Sequence, residues 1–172
     1  MGELAGWTYC PRCGAELRGD PGRLDCAACA FVVYAASKPT ASALCVDGTK
    51  LLLVRRAVEP YLGYWDLPGG FLQEGEHPIE GLRRELLEET GLEVEPEQFL
   101  GTWMDTYGGD STAEATLNMY WTVRVVSGEL RADDDISEAR WFELDELPSE
   151  EEIAFENVPQ VLAAWRARHE HA

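Results

Sequence analysis

Residues Gly70 to Leu92 read "GFLQEGEHPIEGLRRELLEETGL", and how this stretch is read decides the rest of the chain. Ile79, Leu82 and Leu86 recur at the i, i+3 and i+7 spacing of one helical face. Pro78 suits a first helical turn, and Gly91 stands where a left-handed C-terminal cap belongs. On that helix Glu85, Glu88 and Glu89 are surface neighbours and repel one another. Pairing of Arg84 with Glu88 at i+4 contributes only about 0.3–0.5 kcal/mol and leaves Glu85 and Glu89 unexplained. A divalent cation explains them better. Hard ions such as Mg2+ take oxygen ligands and keep several waters, so clustered carboxylates beside a backbone carbonyl of a glycine loop form a partial cage that substrate phosphates complete.

Upstream, "TASALCV" and "LLLVRRA" flank Asp47-Gly48, a favoured hairpin turn pair, which predicts two strands. "YWDLPGGF" reads as loop because of its proline and paired glycines. Downstream, "FLGTWMDTY", "ATLNMYWTVRVV" and "EARWFEL" have the aromatic and β-branched content of strands, separated by Gly- and Asp-rich turns. A last helix is expected from near Asn157, with Val158, Val161, Leu162 and Trp165 along one face. The acidic runs "ADDD" and "PSEEE", the latter with Glu150, Glu151 and Glu152, read as solvated loops.

The chain has 172 residues, room for one ordinary core and a small appendage. Its apolar share of 45% and its six tryptophans fit a globular protein rather than a disordered one. A formal charge of -18 repels phosphate backbones and anionic lipid surfaces, so neither a nucleic-acid polymer nor a membrane is an expected partner, while a small phosphorylated substrate stays open where divalent cations screen the carboxylates. No stretch approaches the roughly 18 consecutive apolar residues of a span, and "MGELAGWTYC" lacks a basic start and a long apolar run. A cytoplasmic location is the expectation.

Four of the five cysteines fall in two pairs, Cys10-x-x-Cys13 and Cys26-x-x-Cys29, separated by twelve residues. Without a secretion signal such pairs suggest a metal rather than disulfides, and four thiolates fill every position of a tetrahedral, structural zinc. Catalysis must then lie elsewhere. The ribbon's basic residues, Arg12, Arg18 and Arg23, are balanced by Glu16, Asp20 and Asp25, which argues for a packing or dimer-forming role. Cys45 lies in an apolar strand and reads as a small buried hydrophobe.

The acidic stretch resembles the Nudix box, the signature of Nudix hydrolases, at Gly70, Glu76, Arg84, Glu85, Leu86, Glu88, Glu89, Gly91 and Leu92. "LLLVRRAVEPYLGYWDLPGGFLQEGE" looks like the strand and loop that precede the box, and "EARWFELDELP" like a later strand of that family. The resemblance implies an α/β fold of the α+β type, a mixed β-sheet sandwiched between helices. Residues 1–36 would form a zinc ribbon and residues 37–172 the Nudix domain. It also implies hydrolysis of a nucleoside diphosphate linked to another moiety with Mg2+ or Mn2+. Glu85, Glu88 and Glu89 would hold the metals with the Gly70 carbonyl, Arg84 would orient the glutamates, and Glu76 would brace the loop or join the ligands. The resemblance implies as general base either a box glutamate or an acidic residue of a later loop, where Asp135 is the foremost candidate, standing one methylene short of the metal-binding glutamate that relatives often carry there. Glu114, Asp133, Asp134 and Glu138 are the other candidates, each with a solvated turn as its plainer reading. Relatives are often dimers, so a homodimer is an expectation of the resemblance.

A zinc ribbon ahead of such a domain is similar to NADH pyrophosphatases and to a group of ADP-ribose or FAD pyrophosphatases. Yet the proline- and tryptophan-rich motif of the NADH enzymes is replaced by "PEQFLGTWMDTYGG", and Tyr107 stands near the place of the proline that marks ADP-ribose enzymes. Trp103, Tyr107, Tyr120 and Trp121 are candidates to stack a base, with core packing the expected fate of at least half of them. The expected activity is cleavage of the diphosphate linkage of an adenine dinucleotide or nucleotide sugar. A nucleoside triphosphate pyrophosphatase and a non-catalytic nucleotide sensor are the alternatives.

Overall fold

The computed structural model describes residues 3–108 and 113–169. Its chain forms two compact units, Met1–Lys38 with Thr106–Thr116, and Pro39–Asp105 with Leu117–Ala172. The Gly- and Asp-rich turn expected between the two long strands falls partly at 109–112, outside the described residues.

In the first unit, β1 (Arg18–Asp20), β2 (Arg23–Asp25) and β3 (Val32–Tyr34) make a three-stranded antiparallel sheet in that order. The two cysteine pairs form matching turns. Cys10 N–H donates to Ala15 O and Gly14 N–H to Cys10 O, while Cys26 N–H donates to Phe31 O and Ala30 N–H to Cys26 O. Gly14 (φ 74) and Ala30 (φ 55) hold the same left-handed place in the two turns. Leu4, Leu17, Leu24, Cys10 and Cys26 are the unit's buried core, too little apolar surface to order such a segment unaided.

In the second unit, β4 (Lys38–Asp47) and β5 (Lys50–Arg56) form the expected hairpin. Asp47 pairs with Lys50, so the turn is Gly48-Thr49, one residue later than expected; Gly48 (φ 60) takes the first central place, where type II′ turns need glycine. The stretch read as loop carries two short strands instead, β6 (Trp65–Asp66) on β5 and β7 (Gly69–Phe71) on β4. Helix α1 (Pro78–Thr90) starts at a His77 cap with Pro78 in its first turn and ends at Gly91 (φ 70). Strands β8 (Leu92–Tyr107), β9 (Glu114–Gly128) and β10 (Ile136–Glu143) complete a sheet ordered β10-β5-β4-β9-β8. Helix α2 (Asn157–His169) closes the chain after a single 3-10 turn at Glu150–Glu152.

Strand alternation buries both faces of this sheet. Leu44, Leu51 and Leu53 pack with Val158, Val161, Leu162 and Trp165 of α2. Ala43, Cys45 and Leu52, their neighbours in sequence, pack on the other side with Leu82 and Leu86 of α1. The sheet thus lies between the two helices, as the α+β reading requires. Cys45 is fully buried, and burial pushes its thiol up to about 12. Among the described residues no helix is long and apolar enough to cross a membrane.

Candidate metal-binding active site

The crowding of glutamates on α1 is resolved first by Arg84. Its guanidinium donates from Nε and Nη2 to both oxygens of Glu76 (2.8 and 2.9 Å) and from Nη1 to Glu85 (2.7 Å) and Glu88 (3.0 Å). Nη2 also reaches the carbonyl of Phe71 (3.1 Å). A planar fork with several donors can span three carboxylates at once; a point-charge ammonium cannot. Arg84 holds the Glu76 carboxyl down at about 2, helped by the N–H of Gln73. Both oxygens of Glu76 are engaged, by Arg84 and by the Gln73 N–H of the loop.

Glu89 is oriented differently. It is buried, it accepts the Gly69 N–H at 2.9 Å, and burial pushes its carboxyl well above the ordinary range. The Gly69 N–H opposes that shift; the charges of Asp135, Glu85 and Asp66 reinforce it. Burial also raises Glu85, against the pull of Arg84 and with the push of Glu88 and Asp135. Gly70 lies directly under Glu85: a Cβ there would stand 2.6 Å from the Glu85 carboxylate. Glycine at 70 therefore permits a close approach that every other residue would block.

Glu85, Glu88 and Glu89 do not converge on one point. Among the described residues only the four cysteines bring three or more ligating atoms within 4.8 Å of one another. Arg84 draws Glu85 and Glu88 to itself while Glu89 bonds the Gly69 backbone, which is how like charges arrange themselves around a single cation. The donor set nevertheless fits a hard divalent ion. Burial, reinforced by neighbouring carboxylates, raises Glu85 and Glu89, and oxygen is the element such ions select.

Of the later candidates, Asp135 bears on this group, since its charge acts on Asp66, Glu85 and Glu89 and its carbonyl accepts the N–H of Ala57 at 2.8 Å. The others do not. Glu114 pairs with Lys38, Asp133 pairs with Arg131 at 3.5 Å, Asp134 is exposed with φ 56, and Glu138 pairs with Arg55 at 3.8 Å. The aromatic candidates also divide. Tyr120 is a core residue at 4% exposure, its ring edge-on to Trp103 at 5.6 Å and its hydroxyl donating to Asn157, so no face remains to stack on a base. Trp103 packs against the same core, and Trp121 lies against Phe99 at 5.0 Å. Tyr107 belongs to the segment that clusters with the first unit.

Sequence reasoning missed Asp66 and Arg56. Asp66 faces the Arg56 guanidinium at 3.6 Å, and burial pushes its carboxyl up to about 7 despite that cation. Its signal was a lone aspartate between Trp65 and Leu67. The proline and paired glycines of that stretch predict a loop, where an acidic residue is ordinary and carries no functional signal.

In the first unit, the Sγ atoms of Cys10 and Cys29, and of Cys13 and Cys26, are each 3.6 Å apart. A tetrahedron with zinc–sulfur bonds of ~2.3 Å has edges of ~3.8 Å. The Arg12 N–H points at the Cys10 sulfur at 3.4 Å, and the four thiols fit a structural zinc.

A family profile described as "NUDIX domain" matches residues 36–164. An ADP-ribose pyrophosphatase of Methanocaldococcus jannaschii is 35% identical over 120 residues, 67% of this chain and 68% of that protein. An NAD-capped RNA hydrolase, NudC, of Stutzerimonas stutzeri is 26% identical over 147 residues, 82% of this chain but 50% of the relative; the chain spans half that protein's length. A crystal structure of a NUDIX hydrolase from Nitrosomonas europaea superposes with a TM-score of 0.78 at 26% identity, over 96% of this chain and 93% of that one.

Proposed function

We infer the function from a premise that the comparisons supply: the chain belongs to the NUDIX family and is a Nudix hydrolase. Its substrate, on our reading, is a nucleoside diphosphate derivative of the ADP-ribose or NAD type, cleaved at the diphosphate linkage. The observation that carries this reading is the approach of Glu85 to Gly70 beside the buried Glu89, a pocket of carboxylates with more negative charge than its protein partners neutralise. A bound Mg2+ or Mn2+ polarises phosphoryl oxygens and makes water a nucleophile near neutral pH. Glu85, Glu88 and Glu89 would hold such ions, and Asp135 would contribute from the turn that leads into β10.

The rest falls to this chain's other residues. Arg84, fixed by Glu76, restrains Glu85 and Glu88 in their positions, so the ligand set is partly organised before the ion arrives. Gly69 orients Glu89 through its N–H. The four cysteines would hold zinc, and that site, with every position filled by sulfur, takes no part in the hydrolysis. The similarity to an ADP-ribose pyrophosphatase supports the substrate class.

The deciding experiment incubates the protein and Mg2+ with ADP-ribose, FAD, NADH and nucleoside triphosphates and scores AMP against pyrophosphate release. AMP from a dinucleotide or nucleotide sugar is expected. Pyrophosphate from triphosphates alone would replace the reading with a sanitising one, and binding without turnover would replace it with a sensor.

A further inference from the structure

With Tyr120 buried and Trp103 in the core, the substrate's flat base needs another surface. The loop 57–64 offers one. Its Val58, Tyr61, Leu62 and Tyr64 are exposed, an unusual run of apolar side chains for one connection. The loop is nevertheless rigidly held. Gly63 N–H donates to Arg56 O and Arg56 N–H to Tyr64 O, both at 2.9 Å, and Tyr64 N–H donates to Tyr61 O at 3.0 Å. Arg56 Nε reaches Pro60 O at 2.7 Å, and Arg55 Nε reaches Gly63 O at 2.8 Å.

At the loop's centre Tyr61 has φ 64 and 41% of its surface exposed. A bulky aromatic residue in the left-handed region is strained, and glycine or asparagine would sit there more easily. Packing alone is a weak reason to keep a half-exposed tyrosine in that conformation; such strain persists where the side chain has a task. The Tyr61 ring packs edge-on with Phe155 at 5.0 Å and with Tyr64 at 5.7 Å. Phe155 in turn lies under the Arg56 guanidinium at 5.3 Å, and Arg56 faces Asp66, whose charge acts on Glu89. A path of contacts thus leads from the aromatic platform through Phe155 and Arg56 to Asp66, and from there the carboxylates are reached through charge alone.

We propose that Tyr61, backed by Phe155, is the stacking surface for the nucleobase of the substrate. A nucleotide presents these features in the same order: a flat ring, a sugar, and a diphosphate carrying the charge that metal ions bind. This inference rests on the nucleoside diphosphate reading given above.

The test is Tyr61→Asn, with Tyr61→Phe as the conservative variant, measured on the full chain with Mg2+. Asparagine tolerates the left-handed conformation, so the melting temperature should hold or rise. KM for the nucleotide substrate should rise about tenfold or more with kcat nearly unchanged, and phenylalanine should restore it. Inhibition by AMP should weaken in parallel, whereas inhibition by ribose 5-phosphate, which has no base, should not change. An unchanged KM, or equal weakening toward AMP and ribose 5-phosphate, would overturn the platform. So would collapse of the fold in Tyr61→Asn, which would assign Tyr61 to packing; Tyr61→Leu, which keeps apolar bulk without a flat ring, must show the same KM effect. If the wild-type protein hydrolyses none of the nucleotides, the functional reading fails on its own, and calorimetry of AMP with wild type and Tyr61→Asn still decides the platform.

Discussion

Replacing Gly70 by alanine separates the site from the fold that carries it. A Cβ at 70 would stand 2.6 Å from the Glu85 Cδ and Oε2 and 2.8 Å from Oε1, while ordinary contact begins near 3.4 Å. Relief of that overlap moves the carboxylate by about 0.8 Å, the difference between 3.4 and 2.6. The Glu85 carboxylate is the far end of a flexible side chain, and Gly70 has no left-handed φ to strain, so the fold should lose only ~1 kcal/mol or less. Catalytic groups tolerate displacement far less well: an error of about 1 Å in a positioned group can lower a rate by ~10²-fold. Gly70→Ala should therefore keep its melting temperature within a few degrees, bind Mg2+ more weakly by calorimetry, and turn over a nucleoside diphosphate substrate ~10²-fold more slowly. Full turnover would mean that the Glu85 position is irrelevant to the chemistry. Loss of activity only in step with unfolding would mean that Gly70 serves the fold.

Other perturbations probe separate parts. Glu89→Gln should lower the rate by roughly 10²-fold or more while raising the melting temperature of the metal-free protein at neutral pH, because it removes a carboxyl whose ionised form burial disfavours; a fall in stability would contradict the assigned environment. Asp66 titrates near 7 in the fold against an ordinary 3.8, so the folded state holds its proton more tightly. The stability this gives is complete below about pH 4 and is lost as pH rises through about 7, a drop of up to roughly 4 kcal/mol without metal. Asp66→Asn should flatten that pH profile in urea titrations, and an unchanged slope would show that Asp66 is ionised throughout. Ala30→Gly, at a left-handed position whose counterpart in the other cysteine turn is Gly14, should stabilise the zinc-loaded first unit by ~0.5–1 kcal/mol, read as slower zinc loss to a chelator. Arg84→Lys should weaken the site by ~1–3 kcal/mol in urea unfolding, since one ammonium cannot replace a fork that spans three carboxylates.

Elements whose signals are local are legible without any tertiary contact. The α1 helix follows from the period of Ile79, Leu82 and Leu86 between Pro78 and Gly91, and the α2 face from Val158, Val161, Leu162 and Trp165. The four cysteines announce a metal through their spacing, because two turns suffice to bring such pairs together. Tertiary structure alone decided what depends on residues distant in the chain. The stretch around Asp66 has turn chemistry, and it becomes β6 and β7 because β4 and β5 offer unpaired edges there. Tyr120 and Tyr61 are the same residue type in aromatic surroundings. One is buried by packing beside α2 and the other is held exposed by a loop stapled to Arg56; no local pattern distinguishes them, since burial is a property of what the whole chain places around a side chain.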